Sequence, residues 1–154
     1  MHFLILSSII MFVFSGIAWF GGLLFVSGVL MPIAKHDETY KHNLFYQSAR
    51  RFYGISVMCF WTMAITGGII LATNQKYIFL KFNSDWDYLL AIAELIFIAA
   101  AILTFIIGNE FKAIEANFDG VFDFHMKNIF NFTKANIYLG TIFLIILLSM
   151  VYYG

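Results

Sequence analysis

FLILSSIIMFVFSGIAWFGGLLFVSGVLMPIA, residues 3–34, contains no charged side chain. Crossing the hydrocarbon core of a bilayer takes about 20 consecutive apolar residues, and this run is longer. Inside lipid the backbone must pair its own N–H and C=O groups, so a run of this kind has to be a helix. Three further runs repeat the pattern. Residues 52–75 carry no charge, residues 88–109 carry only Glu94, and residues 135–154 carry none. The charges collect between the runs: Lys35, Asp37, Glu38, Lys41, Arg50 and Arg51, then Lys76, Lys81, Asp85 and Asp87, then the stretch from Glu110 to Lys134. The expected fold is therefore all-α: an integral membrane four-helix bundle, one transmembrane domain over residues 1–154, with helices about 3–33, 52–74, 88–109 and 132–153. The segment 111–128 mixes Phe with Asp, Lys and His. It is expected either to lie in the interface as an amphipathic helix or to extend helices three and four beyond the bilayer.

Composition agrees. Apolar residues make up 62% of the 154 and charged residues 12%, with 19 Phe. An ordinary soluble domain is about half apolar and about a quarter charged. A small soluble fold leaves much of its surface exposed and could not hide this much apolar area. Net charge is zero, and the basic patch that nucleic acid requires is absent from the pattern. The single cysteine, Cys59, excludes an intrachain disulfide and any Cys-rich zinc spacing. Phosphate-cradling glycine loops, nucleophile elbows and metalloprotease helices are missing as well. The first run reads as a retained helix rather than a cleaved signal peptide, because it is too long and no Lys or Arg precedes it.

Orientation follows from the basic residues. Lys35, Lys41, Arg50 and Arg51 in the first connection, with Lys112, Lys127 and Lys134 in the third, outweigh Lys76 and Lys81 in the second. The first and third connections are therefore expected in the cytoplasm, with both termini outside. Small residues four apart, Ala18 with Gly22 and Ala64 with Gly68, and the alanines 91 and 99–101 mark expected helix contacts. Trp86, Tyr152 and Tyr153 suit an interfacial aromatic belt, whereas Trp19 and Trp61 lie deeper and are expected to pack inside the bundle.

Glu94 is the sharpest chemical signal. It stands seven residues past Asp87, about 10 Å along a helix axis. A carboxylate at that depth costs several kcal/mol and marks a functional site by default. The alternative is a neutral Glu94 hydrogen-bonded to Thr66, which counts to a similar depth on the second helix. Cys59 and Met63 are four apart and share a helical face. Thiol and thioether suit Cu(I), although Met is also an ordinary core filler. His36 and His42 in the first connection and His125 in the third offer a loop site for metal or haem, against the plainer account of solvated imidazoles. No histidine sits deep in an apolar run, so bis-histidine haem ligation from facing helices is not expected.

Trp19-Phe20-Gly21-Gly22-Leu23-Leu24-Phe25 followed by Leu30-Met31-Pro32 resembles the first helix of the CopD-like membrane family. Arg51-Phe52, Thr66-Gly67 and Leu71-Ala72 resemble its second helix, and Glu94-Leu95 with Gly108-Asn109 follow its third. The resemblance covers about three of the four helices. It implies a four-helix protein of the bacterial inner membrane that handles copper or another small species in or across the bilayer. A related branch, the HemJ-like protoporphyrinogen oxidases, has the same plan and binds haem b. In these relatives a histidine two helical turns before the first-helix tryptophan is common; here that place is Phe12, beside Met11. The Lys-Leu pair of the oxidase branch is replaced by Glu94-Leu95. Both departures count against oxidase chemistry and predict a remodelled functional layer. A third reading is an accessory subunit of a larger membrane complex or a homo-oligomer; in every case the bilayer is a partner.

Overall fold

The computed structural model describes residues 2–36, 45–73, 84–116 and 118–153, with side chains described over 3–34, 45–73, 84–85, 87–116 and 122–150. The chain is all-α, and four of its helices are long and apolar enough to cross a membrane. The first rod runs through α1 (His2–Phe25), a π-helical turn (Val26–Leu30) and α2 (Met31–His36). It is followed by α3 (Tyr46–Thr73), α4 (Asp85–Ala116) and α5 (Phe118–Tyr153).

The π turn has a local cause. Pro32 has no N–H to give to the carbonyl of Gly28, and its ring would press against that carbonyl. Widening the turn relieves this, and the Met31 N–H closes on the carbonyl of Val26, five residues back. The rod therefore stays continuous.

Successive helices run antiparallel. Along α1 and α3 the contacts shift in opposite senses: Phe12 lies against Gly67, Gly16 against Met63, and Trp19 against Phe60. Between α3 and α4, Phe60 meets Phe97 and Tyr46 meets Phe111. Between α4 and α5, Phe97 meets Phe143 while Glu110 meets His125. Trp19 and Phe20 of α1 close the ring against Gly140 of α5. A methyl group at Gly140 would sit 2.6 Å from Cδ2 of Phe20 and 3.2 Å from Cη2 of Trp19, so only glycine permits this approach. Gly22 makes the same allowance for the ring of Phe52.

Three of the helices extend past the apolar runs. α3 begins at Tyr46 because Phe45, Tyr46, Ala49 and Tyr53 continue the buried face at helical spacing, and Arg50 pairs with Glu115 at 2.7 Å. α4 begins after Ser84, whose Oγ accepts the Asp87 N–H at 3.2 Å; Asp85 and Asp87 then sit favourably in the first turn. The segment 111–128 is not a separate interfacial helix. Its first half belongs to α4 and its second to α5, since Phe111, Ile114, Phe122, Met126 and Ile129 are all buried in the core.

Two packing expectations need correction. Trp61 does not pack inside: it is 68% exposed, on the outer face of α3 with Ala64, Gly68 and Ala72. Nothing lies within 4 Å of a Cβ built at Gly68, so the Ala64–Gly68 pair is not a contact face within the bundle. Trp19 does pack inside, at 3% exposure.

Candidate functional site

Four buried Ser and Thr side chains follow one physical rule. In hydrocarbon a hydroxyl has no water to bond, so it donates to a carbonyl of its own helix. Ser56 donates to Phe52, Thr66 to Thr62 at 2.6 Å, Thr104 to Ala100 at 2.9 Å and Thr133 to Ile129 at 2.7 Å. Each hydroxyl has one proton, so the direction of the remaining bonds is fixed. Thr133 must accept from the Tyr53 hydroxyl, which ties α3 to α5. Thr104 must accept from Nδ2 of Asn136 at 2.8 Å, which ties α4 to α5.

These groups lie on the buried faces of the helices. The spans run Phe3–Ala34, Tyr46–Thr73, Asp87–Ala116 and Phe122–Met150. Trp19, Cys59, Thr104 and Asn136 each fall within one turn of the midpoint of their own span, and all four are buried. Two atoms of these four side chains, Nε1 of Trp19 and Oδ1 of Asn136, have no hydrogen-bond partner among the described residues.

The sulfurs of α3 belong to the same region. Cys59 and Met63 are both buried, one turn apart on the inner face, and Sδ of Met63 lies 3.8 Å from a Cβ built at Gly16. Cys59 is the chain's free thiol. Glu94 is partly buried, and its Oε2 is enclosed. Counting back along the antiparallel pair from the Phe60–Phe97 contact, 5.2 Å between ring centres, sets Glu94 at about the level of Met63. Thr66 stands about one turn further along α3, with its proton directed to Thr62.

A second polar group closes one end of the bundle. Nδ1 of His125 lies 2.5 Å from Oε2 of Glu110, and Nδ2 of Asn128 donates to the same oxygen at 3.4 Å. His42 lies outside the described residues, and the His36 side chain lies outside the described side chains. Among the described residues, no three or more His, Cys, Asp or Glu side chains converge in a way that could hold a metal ion.

The surroundings of Phe12 are apolar. Phe12 reaches within 3.3 Å of a Cβ built at Gly67 and packs against Ala93, Phe143 and Ile146.

Sequence reasoning singled out Glu94, Thr66, Cys59, Met63 and His125 but missed Tyr53, Thr104, Thr133 and Asn136. The available signal was an amide inside an apolar run: Asn136 is uncharged, and a search keyed to charge passes over it.

Comparison with known protein families, characterised proteins and solved structures gave no match.

Proposed function

We propose that this chain is a CopD-like protein of the bacterial inner membrane that binds a small cation, Cu(I) foremost, in the middle of its bundle and handles it in or across the bilayer. The end carrying Arg50, Lys112, Lys127 and Lys134 would face the cytoplasm, leaving both termini outside. The observation that carries this reading is the set of buried polar and sulfur side chains near the helix midpoints. Trp19, Cys59, Thr104 and Asn136 each lie near the midpoint of a long helix, and all four side chains carry nitrogen, oxygen or sulfur and are buried. Polar side chains buried within membrane spans are costly and are functional-site candidates by default.

Among them, Cys59 and its neighbour Met63, one turn along the inner face of α3, supply soft sulfur donors of the kind Cu(I) prefers. Glu94, at about their level, supplies a carboxylate that can balance the charge of a bound cation. The decisive experiment is anaerobic titration of the purified, lipid-reconstituted protein with Cu(I) against a competing chelator. Stoichiometric binding is expected, weakened at least tenfold in Cys59→Ser and Met63→Leu. A protein that takes up no copper, together with a deletion strain of unchanged copper tolerance, would sink the proposal.

Haem b does not fit the described residues. The place of the family imidazole is filled by Phe12 among apolar neighbours. The described imidazole, His125, is held by Glu110 at the bundle end. A Soret band in protein purified from haem-replete cells would overturn that assignment.

A second reading, an accessory subunit or homo-oligomer, is favoured by the outward face of α3. Trp61, Ala64, Gly68 and Ala72 turn away from the bundle, and an indole beside small residues is the composition of a helix-packing face. Native mass spectrometry from lipid nanodiscs tests it, and a monomer across all protein-to-lipid ratios would rule it out.

A further inference from the structure

Trp19 is 3% exposed and Asn136 is fully enclosed. Oδ1 of Asn136 cannot be satisfied by turning the amide over, because the proton of Thr104 is committed to Ala100 and Thr104 needs a donor from Asn136. The indole N–H of Trp19 likewise has no acceptor among the described residues. An unmet buried polar group costs about 1–3 kcal/mol in proteins, and hydrocarbon gives no compensation. The two groups are complementary: one is a donor and the other an acceptor. The Trp19 ring rests on Gly140, one turn along the same buried face of α5 as Asn136.

We propose that the centre of the bundle is a binding site for a small neutral molecule that both accepts and donates hydrogen bonds, water being the smallest, held between Nε1 of Trp19 and Oδ1 of Asn136. A bare cation would satisfy the amide oxygen but would be repelled by the indole N–H. A buried water makes about three hydrogen bonds, and the second proton of Asn136 Nδ2 is available as a further donor. The bundle is on this account hydrated from within, whether or not it carries copper.

The test is NMR of protein labelled with ¹⁵N-tryptophan in lipid nanodiscs, in metal-free buffer. The indole signals are assigned by single Trp→Phe replacements. Trp19 should give an exchange cross-peak to water and should deuterate at least tenfold faster than the backbone amides around it. Asn136→Leu should remove the cross-peak and slow deuteration at least tenfold, leaving the Trp61 signal in place as proof of folding. A wild-type Trp19 indole with no water cross-peak and amide-like protection would overturn the site. A cross-peak unchanged in folded Asn136→Leu would overturn the role of Asn136. Because no copper is present, failure of the copper reading leaves this result untouched.

Discussion

His125 and Glu110 are joined side chain to side chain across the α4–α5 pair, 2.5 Å from Nδ1 to Oε2, with both residues mostly shielded from solvent. The contact pins the two helices a few residues from their connection. Arg50 and Glu115 also join two helices, α3 and α4, but with 56% and 38% of their side chains exposed. Glu110→Ala is therefore expected to cost about 1–3 kcal/mol, since His125 and Asn128 lose a shielded partner. Glu115→Ala should cost less than about 1 kcal/mol. Thermal denaturation in detergent ranks the two, and an equal or larger loss in Glu115→Ala would refute the ranking.

Gly140 and Gly68 make an opposed pair. A methyl group at Gly140 meets Phe20 and the enclosed ring of Trp19, whereas one at Gly68 meets nothing within 4 Å. Gly140→Ala should destabilise by about 1–3 kcal/mol through overpacking. Gly68→Ala should leave the monomer's melting temperature unchanged or raise it slightly. Paired melts in the same detergent decide the matter, and a neutral Gly140→Ala would contradict the close approach.

The bond between Asn136 and Thr104 should appear as coupling in a double-mutant cycle. Combining Asn136→Leu with Thr104→Val is expected to give an interaction energy of about 0.6–1.7 kcal/mol, the range for interhelical hydrogen bonds in membranes. Strictly additive losses would show that the two side chains are not bonded.

Cys59 offers a clean probe because it is the chain's one cysteine. It is 8% exposed, within the core that contains Trp19, Phe60 and Met63. A membrane-permeant maleimide should label it at least tenfold more slowly in the folded protein than in denaturing detergent. Equal rates by mass spectrometry would place the thiol outside the bundle.

The existence and number of the membrane helices were legible in the charge pattern alone, because the bilayer penalises charge so strongly. Their ends were not. Arg50 and Glu115 lie on turns whose inward-facing residues, Tyr46, Ala49 and Tyr53 on α3 and Phe111 and Ile114 on α4, are buried, so a boundary drawn at the first charge cuts α3 short by the stretch from Tyr46 to Arg51. Direction around each helix was also hidden. Trp19 and Trp61 are equally apolar and equally deep, yet one turns inward and the other outward. That choice depends on the neighbours each face finds, which a single sequence does not state. The candidate site was half visible. Cys59, Met63 and Glu94 stand out as residue types, whereas Thr104 and Asn136 gain meaning only when two distant segments meet.

The π turn at Val26–Leu30 has a consequence for chain length. A turn closed by a bond to the fifth preceding residue holds one residue more than an α turn. Upstream of it, Trp19 and Leu23 face the core; downstream, Leu30, Met31 and Ala34 do. The extra residue is what lets both groups face the same way around Pro32. A one-residue deletion in α3 or α5 would swing half of that helix's core into lipid. Between Val26 and Leu30 the first rod holds a spare residue, so a one-residue change of length there is a question of register around Pro32.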